Sequence, residues 1–319
     1  NWVPKPLGIA FLVILFIPIM TVSGAYSVNS SEMVGGLGIQ SEHIAFISFV
    51  TSIGMAAFSP FFYQLVCVRR QKMMSLVGFS ILAVQSYICA NTDSLFILAL
   101  NSLIMGFVRQ TLLMCNLFTL IKYGFGIEAT RNVSPGNEPS DEAGWDALDT
   151  EKKASQPIIY FFFMLLGQIG TWLTAWFAYN YHWQMVYYAM LGSILVALLI
   201  TLVCMPYNPY PTKRSPLSFS KFGNVVVFCL MCCSFIYIMV YGKVYDWYDD
   251  ASICWATVIC VVSTLLFVYL EKTRRSPYFM LKAFRSRSIQ GGILLFIALM
   301  ICNSSSMLVN IFVGVGMKT

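Results

Sequence analysis

Nine apolar runs, each about as long as a bilayer is thick, constrain this chain more than anything else in it. They cover residues 7–28, 44–66, 73–90, 95–121, 156–179, 184–205, 222–242, 251–270 and 289–316. A helix needs ~20 mostly apolar residues to cross the hydrocarbon. Strands with alternating polarity are absent, and the runs exceed the ~9–11 residues of a barrel strand. With no water in the hydrocarbon, backbone polar groups must pair within the segment, which a helix achieves. The expected fold class is therefore an all-α integral membrane protein. Only 11% of the residues are charged, against about 25% in a soluble domain. Too little polar surface remains to face water on all sides.

Orientation follows from the basic residues, because Lys and Arg in short loops stay on the cytoplasmic side. With the N-terminus cytoplasmic, seventeen of the 20 fall inside, Lys243 and Lys318 fall outside, and Arg109 lies within the fourth run. The net charge of +6 is thus a topology signal, and no nucleic-acid partner is expected. The chain begins at Asn1, and an odd number of spans leaves its end outside, so a truncated protein is expected. The first run is too long, and too poor in preceding bases, for a signal peptide.

The loops divide the runs. Residues 1–206 form an expected six-helix bundle with a cytoplasmic loop over 124–155. Residues 207–270 comprise a Pro-rich cytoplasmic linker and two extra spans. Residues 271–319 comprise a segment alternating bases with Phe279, Met280, Leu281 and Phe284, then the first helix of a truncated second bundle. Such alternation suits a segment lying on the inner membrane face. The acids of 124–155 lack the ligand spacing of a calcium loop and read as a solvated loop. Cys229, Cys232 and Cys233 sit in apolar sequence and read as core packing, not metal chemistry. No catalytic constellation is present; the chain is expected not to be an enzyme, and no cofactor or metal site is expected.

Pro277 to Phe284-Arg-Ser-Arg287, the six-two-one grouping of spans, Tyr241-Gly242 before Asp246-Trp247-Tyr248, and His182-Trp183-Gln184 together resemble the major facilitator superfamily, in its fourteen-helix EmrB/QacA-type drug:proton antiporter group. The resemblance implies two six-helix bundles rocking about a midplane site, separated by two extra helices. It also has departures. The gating loop between helices two and three keeps only Arg69 and Arg70, with Leu65 and Val68 in place of the group's acid and glycine. The helix-four motif is reduced to Ser102-Leu-Ile-Met105-Gly106, and the helix-five antiporter motif to Gly167-Gln168-Ile169-Gly170.

Arg109 stands out as the one intramembrane charge. It lies fourteen residues after Leu95, roughly 21 Å along a helix at ~1.5 Å per residue, too deep to reach either surface easily. A central Arg costs about 2.5–3.5 kcal/mol on the insertion scale, so something must offset it. It either faces an aqueous cavity, where it meets an anionic group of the substrate or a coupling carboxylate, or bonds backbone carbonyls structurally. Ser102, Arg109 and Asn116 are spaced by seven and share a helix face. Thr21, Ser23 and Tyr26 lie on the first run near Pro18 and Gly24; Asn303, Ser306 and Asn310 share a face of the ninth. In the superfamily the matching three helices line the central cavity. Each uncharged residue, Gln168 included, can equally serve ordinary interhelical bonding. Trp172, Trp176 and Tyr179 form either an aromatic wall or an interface anchor. No Asp or Glu falls within any run, leaving Glu32, Glu42 and His43 near the outer ends as proton-coupling candidates.

The expectation is an ion-coupled secondary transporter exporting small amphipathic organic molecules, powered by a proton or sodium gradient. The alternative is a receptor or scaffold with the same fold and no transport. The resemblance implies the cytoplasmic (inner) membrane of a bacterium, multi-pass, with the lipid bilayer, a small organic substrate and a periplasmic adaptor protein as partners.

Overall fold

The computed structural model describes residues 5–27, 30–62, 65, 71–124, 156–205, 219–273, 286–287, 289–299 and 301–302; side chains at 5–6, 23–32, 37, 121–124, 156–164 and 219–221 are not described. Most of those residues are helical, with no strand among them. Among the described residues six helices are long and apolar enough to cross a membrane: Ser41–Phe61, Gln71–Asn91, Leu95–Leu120, Trp183–Cys204, Phe222–Tyr241 and Ala251–Thr273. A multi-pass membrane protein follows from these six, fewer than the nine runs of the sequence. The fifth run is a continuous 25-residue helix, Gln156–Asn180. The loops at 125–155 and 206–218, the segment at 274–285, and much of the ninth run lie outside the described residues.

The first run differs from expectation for a physical reason. It comprises α1 (Lys5–Ile14) and α2 (Phe16–Ser27), parted by a one-residue turn at Leu15, whose N–H still bonds the Phe11 carbonyl at 3.1 Å. Pro18 has no N–H for the carbonyl four residues back, and its ring crowds that carbonyl. That residue is Ile14, where α1 ends. A short helix, α3 (Ser30–Leu37), follows; it fits no apolar run. The sequence continues as α4 (Ser41–Ala57), α5 (Gln71–Asn91), α6 (Leu95–Gly124), α7 (Gln156–Asn180), α8 (Trp183–Cys204), α9 (Phe219–Tyr241) and α10 (Ala251–Thr273).

The chain forms two compact units, Asn1–Phe267 and Val268–Thr319. In the first unit Phe16, Ile47, Phe79, Met105 and Tyr187, from five different helices, are all essentially inaccessible and belong to one core. Val84, Tyr87, Leu199, Val203 and Trp255 are exposed, the outward apolar surface that a helix bundle offers to lipid. Lys72 Nζ donates to the carbonyls of Leu202 and Met205, each at 2.8 Å, a cation on the carbonyls at the end of α8. Helix α9 docks on α4 through rings: Phe46 meets Tyr237 edge-on at 5.9 Å, Tyr237 lies 4.6 Å from Tyr241, and His43 Nδ1 shares a hydrogen bond with the Tyr241 hydroxyl. In the turn to α10, Asp246 and Trp247 both take positive φ, 46° and 60°. The Trp247 ring there covers Gly242, whose added Cβ would meet it at 2.9 Å.

The second unit contains the end of α10 and the apolar helix α11 (Ile289–Leu299). The α11 side chains are exposed throughout.

Candidate functional site

The site is built where α4 and α6 cross backbone to backbone at Gly54 and Gly106. A Cβ added at Gly54 would fall 2.1 Å from the Leu103 carbonyl oxygen, and one at Gly106 would fall 2.0 Å from that of Thr51. Small residues let membrane helices approach backbone to backbone, where van der Waals contact replaces the missing hydrophobic drive. This crossing places Met55, next to Gly54, against Arg109, one turn beyond Gly106.

Arg109 is half-buried. Its Nε donates to the Ile19 carbonyl of α2 at 3.0 Å, and its Nη1 to the Met55 sulfur at 2.8 Å. Those are its two hydrogen bonds among the described residues, and no carboxylate pairs with it there. A guanidinium has five N–H donors and no acceptor, so three donors remain. The bond to Ile19 is of the structural kind, to a backbone carbonyl, and a neutral carbonyl and a thioether leave the charge uncompensated among the described residues.

Ser102 and Asn116 share the Arg109 stripe and are fully buried. At about 100° per residue, seven residues return almost to the same direction. On one flank of that stripe α6 meets α4 at Gly106; on the other it meets α5 at Asn101, Leu112 and Thr119. The stripe is therefore an internal face turned toward the first span. Ser102 donates to its own helix, to the Leu98 carbonyl at 2.7 Å. Asn116 Oδ1 accepts a long bond from the Ser75 hydroxyl at 3.5 Å, and its Nδ2 is buried with no partner among the described residues. Thr21 is buried and donates to the Pro18 carbonyl at 2.8 Å. Gln168 is exposed. Thus Arg109 reaches the helix that bears Thr21, while Ser102 and Asn116 are held within the bundle. The side chains of Ser23 and Tyr26, and residues Arg69, Arg70, Asn303, Ser306 and Asn310, lie outside the described residues.

Three contributors were missed in the sequence: Met55, the Ile19 carbonyl, and Gly54 with Gly106 as the pair that sets the approach. A signal for the glycines existed, since each sits in an apolar run. Gly106 was read as a motif remnant, and its packing role needs no motif. Gly170, read in the same way, packs on α2, where an added Cβ would lie 2.9 Å from the Met20 Cβ. Trp172, Trp176 and Tyr179 project outward from α7, at 65%, 46% and 87% exposure. Trp176 also meets Phe177 and Tyr181, an arrangement that suits anchoring in the membrane interface. No cluster of three or more potential metal ligands occurs among the described residues. The chain matches no protein-family model and no curated protein.

Proposed function

We propose that this chain belongs to an ion-coupled secondary transporter of major-facilitator architecture that exports small amphipathic organic molecules by alternating access. The membrane is the cytoplasmic membrane of a bacterium, with the N-terminus on the cytoplasmic side. Residues 1–206 serve as the first bundle, 207–270 as linker and extra helices, and 271–319 as the start of the second bundle. The support is the run of apolar helices, the inward bias of the basic residues, and the resemblance carried by residues 277–287.

One observation carries the reading: the half-buried Arg109 guanidinium, deep in α6, has a backbone carbonyl and a thioether as partners and no described carboxylate. Intramembrane ionisable groups are expensive and usually mark a pathway or binding site. In this reading Arg109 binds an anionic group of the substrate, and proton or sodium coupling resides elsewhere in the protein. The test is reconstitution into liposomes with an imposed proton or sodium gradient and matched organic anions, cations and neutral compounds. Gradient-driven flux of anions, abolished in Arg109→Ala, is expected. Binding without flux in either gradient would replace the transporter with a receptor or scaffold.

A further inference from the structure

The first span is broken one turn before the point at which Arg109 holds it. Pro18 ends α1 at Ile14, and the Ile19 carbonyl just beyond the break accepts from Arg109 Nε. On another side Gly170 of α7 packs against the Met20 backbone, so α2 lies between that close packing contact and the Arg109 hydrogen bond.

That hydrogen bond has an ionised donor but a neutral acceptor and engages one N–H. A carboxylate or phosphate brings the opposite charge as well and takes two parallel N–H donors of the guanidinium at once. Nε is one arm of the side-on fork, and Ile19 occupies it. An anion using that fork must displace the carbonyl. The carbonyl is not orphaned by the exchange, because a helical C=O has a second lone pair for its own turn. A ligand shifts a conformational equilibrium only through its different affinity for the two states; here the difference is whether Nε is free.

We propose that an anionic ligand competes with the Ile19 carbonyl for Arg109, so that binding unties α2 from α6 and releases the first span to bend at the Leu15–Pro18 break. This rests on the reading of Arg109 as the anion site and adds the step by which occupancy becomes motion. The ligand class is a carboxylate or phosphate monoester on an apolar body, recognised through Nε and Nη2. Lysine keeps the charge but lacks the fork.

The experiment uses the protein in lipid vesicles and three fluorescent probes of one shape: pyrenebutyrate, its trimethylammonium analogue and its neutral alcohol. Binding is read by fluorescence, and the first span by amide hydrogen exchange over residues 11–22. The wild type is expected to bind the carboxylate about tenfold tighter than the other two, the scale of a charge-assisted hydrogen bond. The carboxylate alone should speed exchange over 11–22 several-fold. Arg109→Lys should show that faster exchange with no probe present and no further change when pyrenebutyrate is added. Arg109→Gln should in addition lose the preference for the carboxylate. Arg109-dependent carboxylate binding with unchanged exchange overturns the release step and leaves the anion site standing. Equal binding of all three probes, or undiminished binding in Arg109→Gln, overturns the anion site and the release step together.

Discussion

The two flanks of α6 solve the same problem in opposite ways. Toward α5 it presents neutral polar groups that meet neutral partners. The Thr119 hydroxyl donates to Gln71 Oε1 at 3.0 Å, and Asn101 Nδ2 donates to the Gln85 carbonyl and the Cys89 sulfur, each at 2.9 Å. Toward α4 it presents Gly106, and beside that crossing lies Arg109, with its charge unmatched among the described residues. A neutral seam can hold two helices together permanently, since neither partner gains much by leaving. A charge tied to a neutral carbonyl is poised to exchange it for something better. The contrast teaches that polar residues in these helices are not one class: the seam is scaffold, and the guanidinium is the group with unspent binding capacity.

The strongest way to break the comparison is to separate α4 from α6. Gly106→Val or Gly54→Leu puts a side chain where a carbonyl oxygen stands about 2 Å away, and backbone cannot step aside as a flexible side chain would. Overpacking typically costs about 1–3 kcal/mol; here loss of about 3 kcal/mol or complete failure to fold is expected, measured by thermal or denaturant unfolding in detergent. A stable Gly106→Val protein with unchanged Arg109-dependent binding would remove the crossing from the account of the site.

Next in size is Arg109→Met. If the residue were scaffold, its loss should destabilise. If it is held in place for function, removing a half-buried, unpaired charge should leave stability unchanged or raise it by up to about 2 kcal/mol, as replacing buried charge by apolar volume often does. Anion binding should be lost. The paired measurement is the melting temperature against binding of an anionic probe, and a large fall in both would assign Arg109 to the scaffold.

How much of this was legible in the sequence depended on the length scale of the signal. Helical membrane character was plain, because runs of ~20 apolar residues have few alternatives in lipid. Arg109 was legible because one charge in such a run is conspicuous. The seven-residue spacing of Ser102, Arg109 and Asn116 did identify one face of α6. Which helix that face meets was not legible, since sequence spacing fixes direction about an axis but not the neighbour. The break at Leu15 could have been read more firmly from Pro18, whose effect falls four residues upstream. The Gly54–Gly106 approach and the Lys72 contact with the end of α8 join distant segments, and no local pattern in the chain pairs them. The Ile19 carbonyl was invisible for a simpler reason: every residue has one, and only geometry tells which is used.

The seam makes a finer prediction of its own. Asn101 has both of its described donor contacts in place, whereas Asn116 Nδ2 has none. Asn101→Leu should therefore cost about 1 kcal/mol, near the range for interhelical bonds in membranes, while Asn116→Leu should cost less, because removing the unsatisfied Nδ2 offsets the loss of the long Ser75 bond. Equal losses in unfolding experiments would mean that Asn116 has a partner such as a buried water.

The smallest effect expected lies outside the bundle core, where a charge is matched by its own helix. The Ser252 N–H donates to Asp250 Oδ1 at 2.6 Å, so Asp250 caps the first turn of α10. The bonds from the Ser252 hydroxyl and N–H, with burial opposing only weakly, hold this carboxyl below its ordinary value. A lowered folded-state pKa means that the cap is fully formed above the ordinary Asp range, about 3.9, and is lost as the pH falls through the lowered value. Amide exchange at Ser252, corrected for its intrinsic pH dependence, should thus show constant protection from neutral pH down to the ordinary carboxyl range and a decline only below it. Asp250→Asn, which can still accept the N–H bond, should keep most of the protection and lose the acid-dependent step. Protection that falls at the same pH in both proteins would show that some other group, not the cap, is titrating. Asp250 caps its own helix outside the bundle core, so the change should stay within the first turn of α10 and leave anion binding at Arg109 untouched: a charge satisfied locally has nothing to transmit.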